Sequence, residues 1–153
     1  MKEIRILFLC IHNSARSQMA EAFMKKFGGK KFIAESAGLE AGTLNPIVVE
    51  AMMEEGIDIS QNKTKSVFDF FNEGKAFEYV VTVCDEANAA RCPVFPGMHK
   101  KISWSFPDPS ALTGTREEKL NFIRLVREQI KSAVLELVEE LSTEVMNSPN
   151  HLE

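Results

Sequence analysis

Hydrophobic residues lie in short apolar runs that alternate with longer helical stripes. Residues 4–9 are apolar at nearly every position, which is typical of a strand buried on both faces of a parallel sheet. Residues 79–83 are rich in β-branched side chains and predict a second clear strand. Weaker apolar segments predict two more strands, one at residues 32–34 that ends at Ser36 and Gly38, and one at residues 101–104.

Three longer segments have the spacing of amphipathic helices. Apolar residues repeat on one face from Arg16 to the glycine pair at 28–29, where the helix is expected to end. An asparagine followed by a proline at 45–46 predicts the start of a second helix, which ends at Gly56. The last helix begins in the capping-box pattern of residues 115–118. Its apolar stripe consists of Ile123, Val126, Ile130, Val134, Leu137 and Leu141.

Strands that alternate with helices predict an α/β fold of right-handed β-α-β units, with a four-stranded parallel sheet between two helical layers. Ligands bind such sheets outside the carboxyl ends of the strands. Leu9 and Val83 end two of the predicted strands, and Cys10 and Cys84 follow them directly. This coincidence predicts a functional site at that edge of the sheet.

The chain has 153 residues, of which 44% are hydrophobic and 26% charged, without a repeat or a linker-like segment. We therefore expect a single domain over residues 1–145 and a frayed tail over residues 146–153. The net charge of −4 disfavours nucleic acid as a partner. The apolar residues near the N-terminus are too few for a membrane helix or a secretory signal. We thus expect a cytoplasmic protein whose three cysteines are thiols.

The loop of residues 10–17 joins the first predicted strand to the first predicted helix. Backbone N–H groups converge in such a turn, and the helix N-terminus adds partial positive charge, which suits a tetrahedral oxyanion. Arg16 can hold two oxygens with its planar guanidinium, and the same field, with the Ser17 hydroxyl, favours the nucleophilic thiolate of Cys10. Asn13 is the natural left-handed residue of this glycine-free loop. The predicted oxyanion-binding residues are Ile11, His12, Asn13, Ser14, Ala15, Arg16 and Ser17.

These residues resemble a known family. The run C-I-H-N-S-A-R-S-Q-M-A-E from Cys10 to Glu21 is similar to the anion loop and first helix of the low-molecular-weight tyrosine phosphatase superfamily, and most similar to its arsenate reductases. The motif E-S-A-G at 35–38, the pair at 45–46 and Trp104 extend the resemblance over about residues 3–140. It implies a low-molecular-weight phosphatase-like fold and arsenate as substrate, with phosphate and sulfate as competing oxyanions.

The resemblance also implies a general acid. In that superfamily an Asp-Pro pair after the last strand protonates the leaving oxygen, and here Asp108 precedes Pro109 in this place. The alternative is a simple turn, in which Asp-Pro pairs are common. His12 either tunes the anion loop or faces solvent, and His99 is expected to be exposed.

Two further cysteines distinguish the chain from a phosphatase, which needs only one. The resemblance to arsenate reductases implies that Cys10 attacks arsenate, that Cys84 attacks the Cys10 sulfur and that Cys92 then attacks Cys84. The expected disulfides are Cys10–Cys84 and then Cys84–Cys92, the latter reduced by a thioredoxin-like protein. The alternative for Cys84 is an inert buried thiol, and a zinc site is disfavoured because paired ligands are missing.

Residues 85–91 are predicted to form a short helix capped by Asp85. Such a helix separates Cys84 from Cys92 by roughly 12 Å of rise. A disulfide requires Cα atoms about 4.4–6.8 Å apart, so this segment is expected to unwind on oxidation.

The chain departs from some relatives at two places. Ile11 stands where some three-cysteine relatives have a threonine that supports the second cysteine. Asn13, Glu21 and Ser36 match a potassium site of some relatives, but the position of the fourth ligand holds Ser66, next to Lys65. A lysine ammonium can replace the cation, so we predict no potassium requirement, no other metal and no cofactor.

A tyrosine phosphatase that uses Cys10, Arg16 and Asp108 is the nearest alternative. Phosphatases of this kind usually have a tyrosine after the Asp-Pro pair, and none follows Pro109. Some residual phosphatase activity is still expected. A cysteine phosphocarrier and a redox sensor are further alternatives, and a monomer is the default expectation.

Overall fold

The computed structural model describes residues 3–146 and has a four-stranded parallel sheet with helices on both faces. The strands are β1 (Ile4–Cys10), β2 (Phe32–Gly38), β3 (Tyr79–Thr82) and β4 (Lys100–Ser103), in the order β2-β1-β3-β4. The helices are α1 (Arg16–Gly28), α2 (Pro46–Met53), α3 (Val67–Asn72), α4 (Glu86–Ala89) and α5 (Arg116–Met146). The predicted α/β architecture is confirmed.

Two apolar clusters cover the two faces of the sheet, because side chains alternate along each strand. On one face Ile6 and Phe8 of β1 pack with α1 and with the apolar stripe of α5. On the other face Leu7 and Leu9 pack with Phe70 of α3. Both faces of β1 are therefore buried, which explains its nearly continuous apolar sequence.

The predicted starts of α2 and α5 and the predicted end of α1 are present, whereas α2 ends at Met53 and not at Gly56, because residues 54–56 form a turn in which Gly56 has a φ of 73°. The Asn45 side chain accepts a hydrogen bond from the Ile47 N–H at 2.9 Å, and Thr115 and Glu118 cap each other. Helix α1 ends where Gly29 adopts a φ of 66°. Helix α5 ends at Met146, and the rest of the predicted tail lies outside the described residues.

The structure differs from the sequence prediction at several places. β2 does end at Gly38, as expected, and it pairs along the whole of β1 as far as Cys10. β3 ends at Thr82, one residue earlier than predicted, and β4 is displaced by one residue. Helix α3 was not predicted, since six residues are too few to show helical periodicity. None of the helices in the described chain is both long and apolar enough to span a bilayer.

Candidate active site

The loop between β1 and α1 is held from one side by residues 39–45. Backbone N–H groups of that segment donate to loop carbonyls at 2.9–3.1 Å. These carbonyls belong to Cys10, Ile11, His12 and Ser14. These hydrogen bonds give the loop carbonyls partners in a neighbouring segment and thereby fix the backbone of the loop.

Gly38 lets the end of β2 approach this loop closely. A Cβ atom at Gly38 would lie 2.6 Å from the Glu40 carbonyl oxygen and 2.7 Å from both the Asn13 nitrogen and the Ile11 oxygen. These contacts are with backbone atoms, which cannot rotate away. The glycine of the E-S-A-G motif is therefore needed for the shape of the loop.

Asn13 is the structural centre of the loop. It is fully buried and adopts the predicted left-handed conformation, with a φ of 56°. Its Oδ1 accepts from Gln18 Nε2 and from the Lys65 N–H, both at 3.0 Å. This fixes the amide orientation, and Nδ2 donates to Ser17 Oγ at 2.8 Å and to Ser36 Oγ at 2.9 Å.

The Cys10 sulfur has two hydrogen-bond partners in the loop. The Asn13 N–H donates to Sγ at 3.1 Å, and Ser17 Oγ lies 2.7 Å from Sγ. Because Ser17 Oγ already accepts from Asn13 Nδ2, its own hydroxyl hydrogen is available for the sulfur. Both groups are placed to donate to a thiolate, which is the nucleophilic form of cysteine.

Glu21 lies below the loop and is 5% exposed. Its Oε1 accepts from Ser36 Oγ at 2.5 Å and lies 3.7 Å from Lys65 Nζ, while Oε2 accepts from Lys25 Nζ at 2.6 Å. Two ammonium groups therefore already balance this carboxylate. The residues do not fit a further cation here, and within residues 3–146 no group of three or more His, Cys, Asp or Glu is arranged for a metal.

The initial rate of the reaction that this site catalyses is expected to change less than about twofold when sodium replaces potassium at equal ionic strength. The reason is that Lys65 already supplies a positive charge beside Glu21. Initial rates in chloride salts of sodium, potassium and choline measure this. Lys65→Met is the matched variant, in which a potassium-specific increase in rate or in melting temperature is expected to emerge. A several-fold potassium activation of the unchanged protein would contradict the prediction.

Arg16 is the first residue of α1 and its side chain is 8% exposed. One guanidinium nitrogen donates to the carbonyl oxygens of Val83 and Phe106, both at 3.1 Å. The other nitrogen lies 3.6 Å from Asp108 Oδ2. Arg16 thus connects the anion loop to the segment after β3 and to the predicted acid, and it holds all three in one site.

Asp108 forms the turn that was one alternative for it, and its carboxyl group also lies close to Arg16. Its Oδ1 accepts from the Ser110 N–H at 3.0 Å and caps a short 3-10 turn (Pro109–Ala111). Its Oδ2 faces Arg16, and the side chain is 33% exposed. One oxygen therefore orients the carboxyl group while the other stays near the anion loop.

Cys84 lies next to Cys10 at the neighbouring strand end. The Val83 N–H donates to the Leu9 carbonyl at 2.9 Å, which aligns the two segments, and both thiols are free and buried. Burial raises the pKa of Cys84, and a charge on Cys10 raises this pKa further, whereas Arg16 lowers it. The Cys84 thiol is therefore sensitive to the charge state of the Cys10 sulfur.

Cys92 follows a short helix, as predicted, although the helix is shorter than expected. Helix α4 has only four residues, followed by a turn, and Asp85 caps it by accepting from the Asn88 N–H at 2.9 Å. Cys92 is half-buried and packs against the cluster that contains Phe95. Burial raises the pKa of Cys92 to about 11.

Sequence reasoning missed Gln18 and the role of residues 39–45. Gln18 is fully buried, and besides Asn13 it contacts the Lys63 carbonyl at 3.1 Å and Asn62 Nδ2 at 3.0 Å. A polar residue among the apolar ones of α1 was the only available signal.

The two histidines that the sequence analysis considered are both exposed. His12 Nδ1 lies 3.0 Å from Glu40 Oε1, and His99 packs against the Tyr79 ring.

An open groove of about 560 Å³ begins beside the loop. Ser14 and His12 line one side, and Pro109 and Ser110 line the other. Among the described residues that line it, none is phenylalanine, tyrosine or tryptophan. The groove therefore offers no phenylalanine, tyrosine or tryptophan ring for an aromatic substrate, and His12 provides its only aromatic side chain among these described residues.

A parallel α/β sheet with a cysteine in an oxyanion loop, closed by an arginine and an aspartate, defines a class of cysteine-dependent oxyanion enzymes. Residues 5–147 match the family described as low molecular weight phosphotyrosine protein phosphatase, and the chain belongs to this family. The arsenate reductase of Bacillus subtilis is 45% identical over 134 residues, which are 88% of this chain and 94% of that protein.

Solved structures agree with this assignment. An arsenate reductase in the phosphate-binding state is 30% identical with a TM-score of 0.72, and the match covers 92% of this chain and 98% of that one. A thioredoxin-dependent arsenate reductase of Corynebacterium glutamicum is 27% identical with a TM-score of 0.69, covering 94% of this chain and 64% of that one.

Proposed function

We propose that the protein is a cytoplasmic arsenate reductase that serves arsenic detoxification through a relay of Cys10, Cys84 and Cys92. The observation that carries the proposal is the second buried thiol, Cys84, beside Cys10 in one oxyanion site. A phosphatase has no use for this thiol, whereas reduction of arsenic(V) requires two electrons from a thiol pair. The names of the similar proteins support the same activity.

The reaction begins at the anion loop. The loop N–H groups and Arg16 hold the arsenate oxygens, and the Cys10 thiolate attacks arsenic. Asp108 donates a proton to the departing oxygen, which leaves as water. A Cys10–S–As(V) bond has then formed, and no electrons have yet been transferred to arsenic.

Cys84 then completes the reduction. Its thiolate attacks the Cys10 sulfur, the sulfur–arsenic bond breaks, and its electron pair stays with arsenic, which leaves as arsenite. The Cys10 sulfur no longer carries a charge once it is bonded to arsenic. The sulfur charge that raises the Cys84 pKa is thereby removed, while the loop N–H groups and Arg16 hold the charge of the arsenic-bound oxygens.

Cys92 regenerates the site. Its thiolate attacks Cys84, a Cys84–Cys92 bond forms, and Cys10 leaves as a thiolate. Because α4 lies between these two cysteines, its hydrogen bonds must open before the sulfurs can meet. A thioredoxin-like dithiol then reduces the new disulfide, and the thioredoxin-dependent relative from Corynebacterium glutamicum supports this choice of partner.

A tyrosine phosphatase remains the second candidate, since the site contains Cys10, Arg16 and Asp108 together. The lack of a phenylalanine, tyrosine or tryptophan among the described residues that line the groove disfavours phosphotyrosine as the main substrate. We expect only weak hydrolysis of aryl phosphates. The phosphocarrier alternative is disfavoured because a carrier does not need an acid beside the oxyanion loop.

An anaerobic single turnover tests the proposed function. Fully reduced protein is mixed with excess arsenate in the absence of any external reductant, and arsenite, free thiols and disulfide-linked peptides are measured. About one arsenite per chain, the loss of two thiols and a Cys84–Cys92 bond are expected. Intact thiols and no arsenite, together with efficient hydrolysis of an aryl phosphate, would identify a phosphatase. Disulfide formation in a parallel sample that receives hydrogen peroxide as the oxidant in place of arsenate, with no arsenite released in the arsenate sample, would identify a redox sensor.

A further inference from the structure

The carbonyl oxygen of Ala89 accepts two hydrogen bonds at the end of α4. The Cys92 N–H donates to it at 3.2 Å, and Lys101 Nζ donates to it at 2.7 Å. Ala89 is buried, so this carbonyl has little access to water. The Ala89 carbonyl oxygen at the end of α4 is therefore hydrogen-bonded both to Cys92 and to Lys101 of the edge strand β4. The relay requires this helix to unwind.

Lys101 reaches this position because of the sheet register. It pairs with Val80 of β3, and Val80 belongs to the apolar cluster against which Cys92 packs. Residues in register on neighbouring strands point to the same face, so the lysine stem lies on the face that carries α4. Lys100, one residue earlier, points to the opposite face.

Electrostatics connects the same lysine with the Cys92 sulfur. Burial raises the pKa of Cys92 and the Cys84 thiol raises it further, while the Lys101 ammonium lowers it. The neighbouring Arg91 directs its guanidinium to the Asn88 side chain at 3.3 Å. Lys101 is thus the cation that favours a thiolate at Cys92.

We propose that Lys101 is a positioning residue for the relay, which holds the C-terminal end of α4 and provides the positive charge beside the Cys92 sulfur. The inference rests on the proposed relay and adds a residue to its last step. In that step the Cys92 thiolate attacks Cys84 of the Cys10–Cys84 disulfide, and Cys10 leaves with the electron pair. Opening of α4 frees the Lys101 ammonium from the Ala89 carbonyl and leaves it beside the moving thiolate.

The first test needs no arsenate. In a Cys10→Ser/Cys84→Ser background, Cys92 is the remaining thiol, and its alkylation rate is measured against pH. Adding Lys101→Met to this background is expected to raise the pH midpoint of the alkylation profile by about one pH unit. A thiol with a higher pKa forms less thiolate, but that thiolate is the better nucleophile. Alkylation near pH 8 is therefore expected to slow by only about threefold. Lys101→Arg is expected to restore the rate, and Lys100→Met, the matched control, to leave it unchanged.

Amide hydrogen exchange tests the second part of the inference. Without the Lys101 contact, the Cys92 N–H is expected to exchange several-fold faster in Lys101→Met than in Lys100→Met. If either the alkylation profile or this exchange rate is the same in the two variants, the inference is wrong. The outcome is separable from that of the proposed function, because a failure of the relay appears as missing arsenite in the unchanged protein.

Discussion

Replacing Cys84 with serine is expected to abolish arsenite release while hydrolysis of an aryl phosphate continues. The Cys84 thiol is buried beside Cys10, and a serine hydroxyl cannot form the disulfide that transfers two electrons to arsenic. Cys10, Arg16 and Asp108 remain in place in this variant, so the oxyanion site is intact. Anaerobic single-turnover measurements of arsenite, beside a steady-state assay with an aryl phosphate, give both quantities.

Cys92→Ser is the matched control for this variant. It removes a thiol from the same segment but leaves Cys10 and Cys84, so it is expected to release about one arsenite and then stop with a Cys10–Cys84 disulfide. Peptide mapping distinguishes this bond from Cys84–Cys92. Arsenite release by Cys84→Ser at the level of the unchanged protein would show that another group resolves the adduct.

Replacing Arg16 with lysine is expected to lower kcat/KM for arsenate by about 100- to 1,000-fold. The guanidinium donates to the Val83 and Phe106 carbonyls from one nitrogen and faces Asp108 with the other. A single ammonium cannot make these contacts and also hold two oxyanion oxygens. The inhibition constant of phosphate is expected to rise as well, since phosphate uses the same donors.

Arg124→Lys provides the control for this change. Arg124 lies on the surface of α5 and binds Glu54 through two nitrogens, and its hydrogen bonds together with that of Arg127 lower the pKa of Glu54 to about 2. The same substitution there is expected to leave kcat/KM unchanged. Thermal unfolding with and without phosphate separates lost anion binding from lost stability in Arg16→Lys. An Arg16→Lys variant that retains phosphate binding and kcat/KM would exclude Arg16 from the oxyanion site.

The strands and long helices could be predicted because their signals are local. The apolar run of β1 and the stripe of α5 indicate burial directly, and the caps at Asn45 and Thr115 need only nearby atoms. Helix α3 was missed because it depends on packing of Phe70 against the sheet.

The site was predictable in part for the same reason. Cys10, Asn13 and Arg16 lie within one short loop, so their spacing alone suggested an oxyanion site. Gln18 and Lys101 were not predicted, because their partners are far away in the sequence or on another strand.

The sequence by itself determined which segments form the four strands, where the loop of residues 10–17 lies and that three thiols are available, since these follow from local periodicity and from the chemistry of single side chains. Only the tertiary structure decided how they act together. Parallel pairing of β1 with β3 brings Cys84 beside Cys10, and the close approach at Gly38 shapes the loop. Such contacts depend on the register of distant segments, which no local pattern specifies.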